Sequence, residues 1–441
     1  MMIIGANVRA VGGHLAGWRH PDACSYTVMN RENALDMARL SEAAKLHFIF
    51  LADGNGVRSM DKPVLFEAGS PTDRPGVFEP VTLLAACSVV TERVGLVATI
   101  TTTYEQPFTV ARKIGSLDHL SGGRAAWNVV TTSNADDALN FSYSEHMGRD
   151  IRYARAEEFI EVARGLWDSW ADDAFVQNKE TGQFLDSAKV HRLNHKGEFF
   201  QVAGPMNQAR PPQGYPVTFS AGQSDAGRNL TAKYSDCMFS NGGPKDAAVR
   251  LYADIKGRMA KYGRKPDDLK ILDNVAVYIG HDAADAKRRH EELQALISPK
   301  LGMAMLSKVL EMDVSGYPLD GPVPDLDEQK VGGTSSRNIV FEMARAENLT
   351  LEQTYRRVVL GSSGTGIIGG PEEIADQMQD WYESKACDGF VVSGPVMPRD
   401  LKDFCDLVLP ILQKRGLFHT DYKGKTLREN LGFARPQNPF F

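Results

Sequence analysis

The chain has 441 residues, 42% hydrophobic, 24% charged and 9% aromatic, with 50 basic against 56 acidic side chains and a formal net charge of −6. That balance argues against broad nucleic-acid binding, which needs a basic surface to displace counterions, and against an anionic membrane surface as main partner. No apolar run reaches the roughly 18 residues of a membrane span, the start MMIIGANVRAVGG lacks a signal-peptide pattern, and five cysteines without a CxxC argue against a disulfide framework or a structural zinc site, so the expected compartment is a reducing cytoplasm.

The length suits two or three domains, or one barrel with insertions. In chain order, short β-like runs alternate with longer helical patterns. A first strand is read at 3–8 (IIGANV) and a helix over 33–45. FIFLA at 48–52 is a strand, 80–90 a helix and 94–101 a β-branched strand. A helix over 108–120 is stopped by Ser121-Gly122-Gly123. AAWNVV at 125–130 is the next strand, and an amphipathic helix covers 151–167. After an interruption, strands at 217–220, 237–240, 271–279 and 389–393 alternate with helices over 224–234, 244–262, 283–296 and 371–384. A final helix covers 401–414.

Continuous apolar strands separated by helices imply a parallel sheet covered on both faces. About eight βα units favour an α/β fold of the closed (β/α)8 TIM-barrel type over an open doubly wound sheet. The open fold advertises GxGxxG after its first strand, and Val11-Gly12-Gly13-His14 does not fit it.

Four stretches break the alternation: 54–79, 131–150, 171–215 and about 298–350. They are read as insertions in a single 1–441 barrel domain. The first two follow strands and so are placed over the catalytic face. The third reads as a hairpin turning at Lys196-Gly197. The fourth is polar and Pro/Gly-rich in its middle. The C-terminal extension 416–441 is read as irregular, wrapping the surface or a neighbouring subunit.

Polar residues recur where apolar strands end: Asp53, Thr101, Asn128, Ser220 and Ser240. In a parallel barrel those ends converge on one mouth, where small polar groups suit the edges of a flat, hydrogen-bonding ligand. The competing reading is ordinary turn chemistry. The run Ser220-Ala221-Gly222-Gln223-Ser224-Asp225-Ala226-Gly227-Arg228 reads as strand, glycine turn and helix start. Free N–H groups at a helix start attract a phosphate, and Gly222 permits close backbone approach. Ser224 adds a hydroxyl and Arg228 a charge. The competing reading is a simple N-cap.

The sequence resembles the bacterial-luciferase-like flavin-dependent monooxygenases, in the nitrilotriacetate, dibenzothiophene-sulfone and pristinamycin monooxygenase branch. The resemblance runs over nearly the whole chain. It is carried by GWRHPDA (17–23), FLADG (50–54), LVATITTTYEQPF (96–108), ARKIGSLDHLSGGRAAWNVVT (111–131), RYARAEEF (152–159), HKGEFFQVAGP (195–205), SAGQSDAGRN (220–229), PLDGP (318–322) and DGFVVS (388–393).

The resemblance implies a luciferase-like (β/α)8 TIM barrel that uses reduced FMN (FMNH2) and O2. A separate NAD(P)H:flavin reductase would supply the FMNH2. The reaction implied is oxygenation of a small or medium organic substrate through a flavin peroxide, in a branch where C–N or C–S bonds are cleaved. A homodimer or homotetramer is implied too.

Residue by residue, Asp53, Thr101 and Asn128 match positions lining the flavin ring and ribityl chain. Tyr153 and Arg149 match a pair near the flavin. Ser224 and the adjoining backbone match the phosphate cradle, with Ser220 and Gly222 placed beside it; Gln223 departs from the small residues frequent in relatives and would reach the phosphate or a subunit contact. Trp18, His20 and Tyr104 lie in matched segments facing flavin or substrate. His20 titrates near neutral pH and so suits proton transfer; a capped structural histidine before Pro21 is the alternative. Many relatives read His-Asp-x-Arg-Tyr where this chain has Arg149-Asp150-Ile151-Arg152-Tyr153. Either Arg149 takes that place or His146 substitutes. Because a reactive flavin must be kept dry, the insertions 54–79 and 298–350 are candidate lids.

Other features carry less. His191 and His195 are four apart, but in a hairpin and without an acidic ligand at motif spacing, so no metal is expected. Cys87 reads as a core thiol, 287–292 as a solvated helix face, and no GxSxG elbow supports a hydrolase. Two other readings stay open: an F420-dependent reductase of the same superfamily and a non-catalytic flavin-binding protein.

Overall fold

The computed structural model describes residues 1–24, 29–58, 60, 63–69, 76–241, 243–324, 335–361 and 365–441. Its strands are β1 (Ile3–Asn7), β2 (Phe48–Leu51), β3 (Gly95–Thr101), β4 (Ala125–Val130), β5 (His195–Lys196), β6 (Gln201–Val202), β7 (Val217–Ser220), β8 (Cys237–Ser240), β9 (Lys270–Ile279), β10 (Thr365–Gly369) and β11 (Gly389–Ser393). Eight of them run β1-β2-β3-β4-β7-β8-β9-β11, and β11 pairs back onto β1. Every pairing in this ring is parallel. The fold is therefore the expected closed (β/α)8 TIM barrel. Among the described residues no helix is long and apolar enough to cross a membrane.

The two-residue side-chain period divides the apolar strands between two cores. Ile3, Phe48, Phe50, Val97, Ala126, Phe219, Phe239, Leu272 and Val391 fill the barrel interior. Their neighbours Ile4, Ile49, Leu96 and Trp127 pack outward with the helices. The interior is aromatic, with Phe48 edge-on to Phe219 at 5.1 Å. Each such side chain contributes about 1.5–3 kcal/mol by burial. Gly5 makes room: a Cβ there would stand 2.3 Å from the Phe48 ring.

The C-terminal extension lies over the surface only in part, where Arg435 and Asn438 bond the 168–172 segment and the exposed Phe440 rests on His191. Its short helix, Leu427–Asn430, seals the N-terminal end of the barrel, where Leu427, Leu431 and Phe433 join the interior core. The apolar spacing of those three residues was the available signal.

The 171–215 stretch holds the expected hairpin, β5 against β6. Its turn spans 197–200, closed by the Gly197 amide donating to the Phe200 carbonyl at 2.9 Å. It therefore begins one residue later than expected. The 298–350 stretch is helical at both ends, over Pro299–Leu310 and Ser335–Ala346. With Leu351–Gly361 these helices share a separate core that includes Leu15, Leu306, Phe341 and Tyr355. The stretch 54–79 meets it through the Lys300–Glu67 ion pair at 3.5 Å. Of the two expected lids, residues 59, 61–62, 70–75 and 325–334 lie outside the described residues.

Candidate active site at the barrel mouth

A cavity of about 390 Å³ opens at the C-terminal ends of the strands, lined by Asp53, Arg58, Thr99, Thr101, Thr132, Asp137, Tyr153, Ser220 and Gly222 among others. That volume lies in the range of about 300–1,000 Å³ usual for ligand clefts. A neighbouring cleft, lined by Arg149, Tyr153, Ser224 and Asn229, shares Tyr153 with it.

Strand register decides which polar side chains point inward. Asn128 sits opposite Thr99 in the β3–β4 ladder and donates from Nδ2 to Thr99 Oγ1 at 2.9 Å. Both follow the interior parity of Val97 and Ala126. Asn128 is buried, and its Oδ1 has no partner. A buried acceptor left open costs about 1–3 kcal/mol unless something fills it. Thr101 continues the same face. Its hydroxyl bonds Thr132 Oγ1 at 2.6 Å and accepts from the Thr103 amide at 3.0 Å.

Ser220 and Ser240 have the opposite parity, so the five strand-end groups do not all converge. Ser220 Oγ bonds Thr231 Oγ1 at 2.8 Å and accepts from Ser235 Oγ at 2.9 Å. Ser240 Oγ donates to Asp273 Oδ1 at 2.6 Å. Ser220 thus forms cavity wall with its hydroxyl already committed.

The 220–228 run folds as its residue types dictate. Ser224 caps the helix Asp225–Tyr234, its side chain accepting from the Gly227 amide at 3.2 Å. Gly222 is required by proximity: a Cβ there would stand 2.8 Å from Tyr153 Oη and 3.0 Å from Gly227 Cα. Gln223 leaves a buried Nε2 without a partner. Arg228 does not add its charge to the cradle alone, because Nη1 pairs with Asp254 at 2.8 Å.

The helix Arg149–Trp167 pins the loops around the mouth. Arg152 donates to the carbonyls of Thr131 and Thr132. Arg155, buried, donates to the carbonyls of Thr102 and Thr103 and lies 4.2 Å from the Phe200 ring. These bonds are a physical content of the RYARAEEF motif.

Tyr104 is buried, stacked on Phe141 at 4.9 Å, with Oη 2.6 Å from His146 Nδ1. Burial, then the Asp137 charge, raises the Tyr104 pKa. Burial, then the Arg152 charge, lowers that of His146. Arg149 is exposed at the rim, 3.7 Å from Asp150. Of the two residues weighed for the histidine position, His146 is the one bonded to the buried Tyr104.

Trp18 and His20 are not among the residues lining the cavity. Trp18 is half exposed on the turn Gly17–Arg19. His20 faces Arg399, with Nη1 3.1 Å from Nε2, and accepts from the Asp22 amide. Burial, then Arg399, lowers its pKa. His191 and His195 are held by the Asp168 carbonyl and by Glu158.

Sequence reasoning missed Arg58, Thr99, Thr132 and Asp137. Thr99 was legible as the residue two before Thr101. Arg58 and Thr132 lie on loops and Asp137 on the short 3-10 helix Ala135–Phe141, where no apolar period applies.

This arrangement has known counterparts. A family model described as luciferase-like monooxygenase matches residues 11–388. The chain belongs to that family. It is 44% identical to an N-acetyl-S-(2-succino)cysteine monooxygenase of Bacillus subtilis (strain 168), over 99% of this chain and 98% of the relative. It is 43% identical to component A of the nitrilotriacetate monooxygenase of Aminobacter aminovorans, over 99% and 97%. Among solved structures, a riboflavin lyase crystallised with modified FMN and riboflavin superposes with TM-score 0.83 at 30% identity, covering 99% of this chain and 96% of that one. The protein is a flavin-dependent monooxygenase of this family, in the branch that its motifs indicated.

Proposed function

We propose that this chain is the oxygenase of a two-component system. It takes FMNH2 from a separate NAD(P)H:flavin reductase in the cytoplasm and uses O2 to oxygenate a small or medium organic substrate. The observation that carries the reading is a cavity at the strand ends walled by Asp53, Thr99, Thr101, Tyr153, Ser220 and Gly222, with Asn128 bonded to Thr99 beside it and its Oδ1 an open acceptor. A flat ligand with N–H groups along its edge satisfies that acceptor, and a phosphate suits the glycine turn and helix start at 222–227.

When bound, FMNH2 supplies the two electrons that activate O2. The chain's own residues do the rest. Asn128, Thr101 and Asp53 orient the ring at the strand ends. Ser224, Gly222 and Gln223 with Tyr153 hold the phosphate end. Tyr104 Oη and His146 Nδ1 lie in one hydrogen bond at 2.6 Å along which a proton can pass, with Phe141 stacked on the Tyr104 ring. Cleavage of a C–N or C–S bond fits the substrates for which the two relatives are named. A homodimer or homotetramer is the assembly we propose.

The test is O2 uptake with FMNH2 delivered by NADH and a flavin reductase, together with the reoxidation rate of FMNH2 on the protein. Oxygen-dependent turnover and a reoxidation rate different from free FMNH2 are expected. Turnover with reduced deazaflavin and no O2 would instead establish the reductase. Tight binding of oxidised FMN without O2 use would establish a flavin-binding protein.

A further inference from the structure

A second cavity, of about 450 Å³, lies at the opposite end of the barrel, lined by Arg164, Lys233, Arg264 and Arg428, with Tyr262 and Phe433 among its other walls. It shares no residue with the cavity at the mouth or with the cleft at Ser224. Helices of a parallel barrel run back from the mouth. Arg164, in the last turn of Arg149–Trp167, and Tyr234, which ends the helix Asp225–Tyr234, therefore arrive at the bottom.

The basic groups of this cavity outnumber the acids that meet them. Arg428 takes both oxygens of Asp236, at 3.1 and 3.0 Å. Lys233 pairs with Glu157 at 2.8 Å. Asp267, exposed, stands 4.0 Å from Lys270, and Asp268 Oδ2 accepts from the Lys265 amide at 2.8 Å. Among the described residues, no carboxylate lies within ion-pair distance of Arg164 or Arg264. Both donate to main-chain carbonyls: Arg164 Nη2 to Tyr234 at 2.6 Å, and Arg264 to Ala232 at 2.9 Å and Ser235 at 2.6 Å.

Those carbonyls belong to one helix end, so the two guanidiniums converge on one spot. Capping that end accounts for part of their charge. A helix C-terminus offers about half an elementary negative charge, which is short of two guanidiniums. Arg164 Nε, moreover, is buried and has no partner, while the Tyr215 and Tyr234 rings, each 5.4 Å from its guanidinium, hold it in place. Partly desolvated charge of one sign is costly unless an anion joins it.

We propose that this cavity is a binding site for a phosphate group, separate from the flavin site. Two uncompensated guanidiniums match the charge of a phosphate dianion, and their planar forks match its oxygens. The cavity has the volume of a ligand cleft, and Tyr262 and Phe433 supply walls for the remainder of a phosphate monoester. Arg428 and Phe433 belong to the C-terminal tail, so the ligand joins the tail to the barrel and raises the melting temperature when bound.

Calorimetric titration of the full-length protein with AMP, inorganic phosphate and adenosine tests it. AMP is expected to bind, adenosine not, and salt to weaken the binding. Tighter binding of AMP than of phosphate assigns the site to a monoester, and equal binding assigns it to free phosphate; either supports the site. Arg164→Gln and Arg264→Gln should each weaken AMP about tenfold or more and abolish its effect on the melting temperature. Ala434→Glu sets a negative charge on the exposed rim of the cavity without touching either arginine. It should weaken AMP as well, and it keeps the test open if an arginine variant fails to fold. Gly222→Ala, at the mouth, should leave AMP affinity unchanged. No binding of AMP or phosphate, equal binding of adenosine, or unchanged affinity in all three bottom variants would overturn the site. So would a loss confined to Gly222→Ala, which would give the phosphate to the flavin cradle.

Discussion

The two ends of the barrel differ in how their buried polar groups are met. At the N-terminal end a connected network is matched, with Arg93 Nε, Arg164 Nε and Asn430 Nδ2 left without partners. Arg124, 2% exposed, donates to the carbonyls of Ser88, Thr91, Val94 and Ser121 and to Thr91 Oγ1. Asp118, Gln213 and Arg428 form a chain that binds the C-terminal tail: Gln213 Nε2 donates to Asp118 Oδ1 at 2.6 Å, and Gln213 Oε1 accepts from the Arg428 amide at 2.9 Å. At the C-terminal end, Asn7 Oδ1, Asn128 Oδ1 and Gln223 Nε2 are buried without partners. Satisfied polar networks hold a fold together, whereas open ones await a ligand. The contrast agrees with the division in barrel enzymes between a stabilising bottom and a reactive top.

The largest expected effect breaks the bottom. Arg428→Ala leaves Asp236 largely buried without its partner, and unfolding free energy should fall by about 3–5 kcal/mol. A urea titration measures it. If the variant unfolds like the parent, the tail is not a plug.

The next effect depends on pH. His47 is fully buried, accepts from the Ile4 amide at 3.2 Å and stacks on His419 at 4.3 Å. Burial, then the His419 charge, lowers its pKa to about 3. A folded pKa below the unfolded value of about 6.5 means that the unfolded chain binds the proton more tightly. Stability is therefore full above pH 6.5 and is lost as pH falls toward 3, by on the order of 4 kcal/mol. His47→Gln should flatten that slope between pH 7 and 4.5; an unchanged slope would assign the acid sensitivity elsewhere.

At the mouth, losses should appear in binding before stability. Gly222→Ala sets a methyl against Tyr153 Oη and Gly227, an overpacking worth about 1–3 kcal/mol. FMNH2 affinity should fall by roughly ten- to a hundredfold, read by anaerobic titration. Ser224→Ala should weaken FMNH2 by about 1.5–3 kcal/mol through the lost charge-assisted donor. The same change removes the cap bond to Gly227 and costs about 1 kcal/mol of stability. Unchanged affinity would remove Ser224 from the cradle.

Much of this was legible in the residues. The eight barrel strands were found because each is a short apolar run bounded by turn residues, and the helices because their apolar spacing and stops are local. The Ser224 cap, the Gly222 turn and the Asn128 strand position were legible for the same reason. β10 was missed because it follows a long interruption, and the helices at 299–310 and 335–346 flank the polar middle that dominated the reading.

By itself, then, the sequence determined the alternation of strand and helix, the glycine turn before the Ser224 helix, and the family motifs. These are fixed by neighbours a few residues apart, through backbone conformation and side-chain period. Only the tertiary structure decided which strand-end hydroxyls face inward, that His20 faces Arg399, that the tail closes the bottom, and that Arg428 meets Asp236. Parity depends on register, which is set by the partner strand, and ion pairing depends on which loops the closed ring brings together. Both are long-range facts that no local pattern contains.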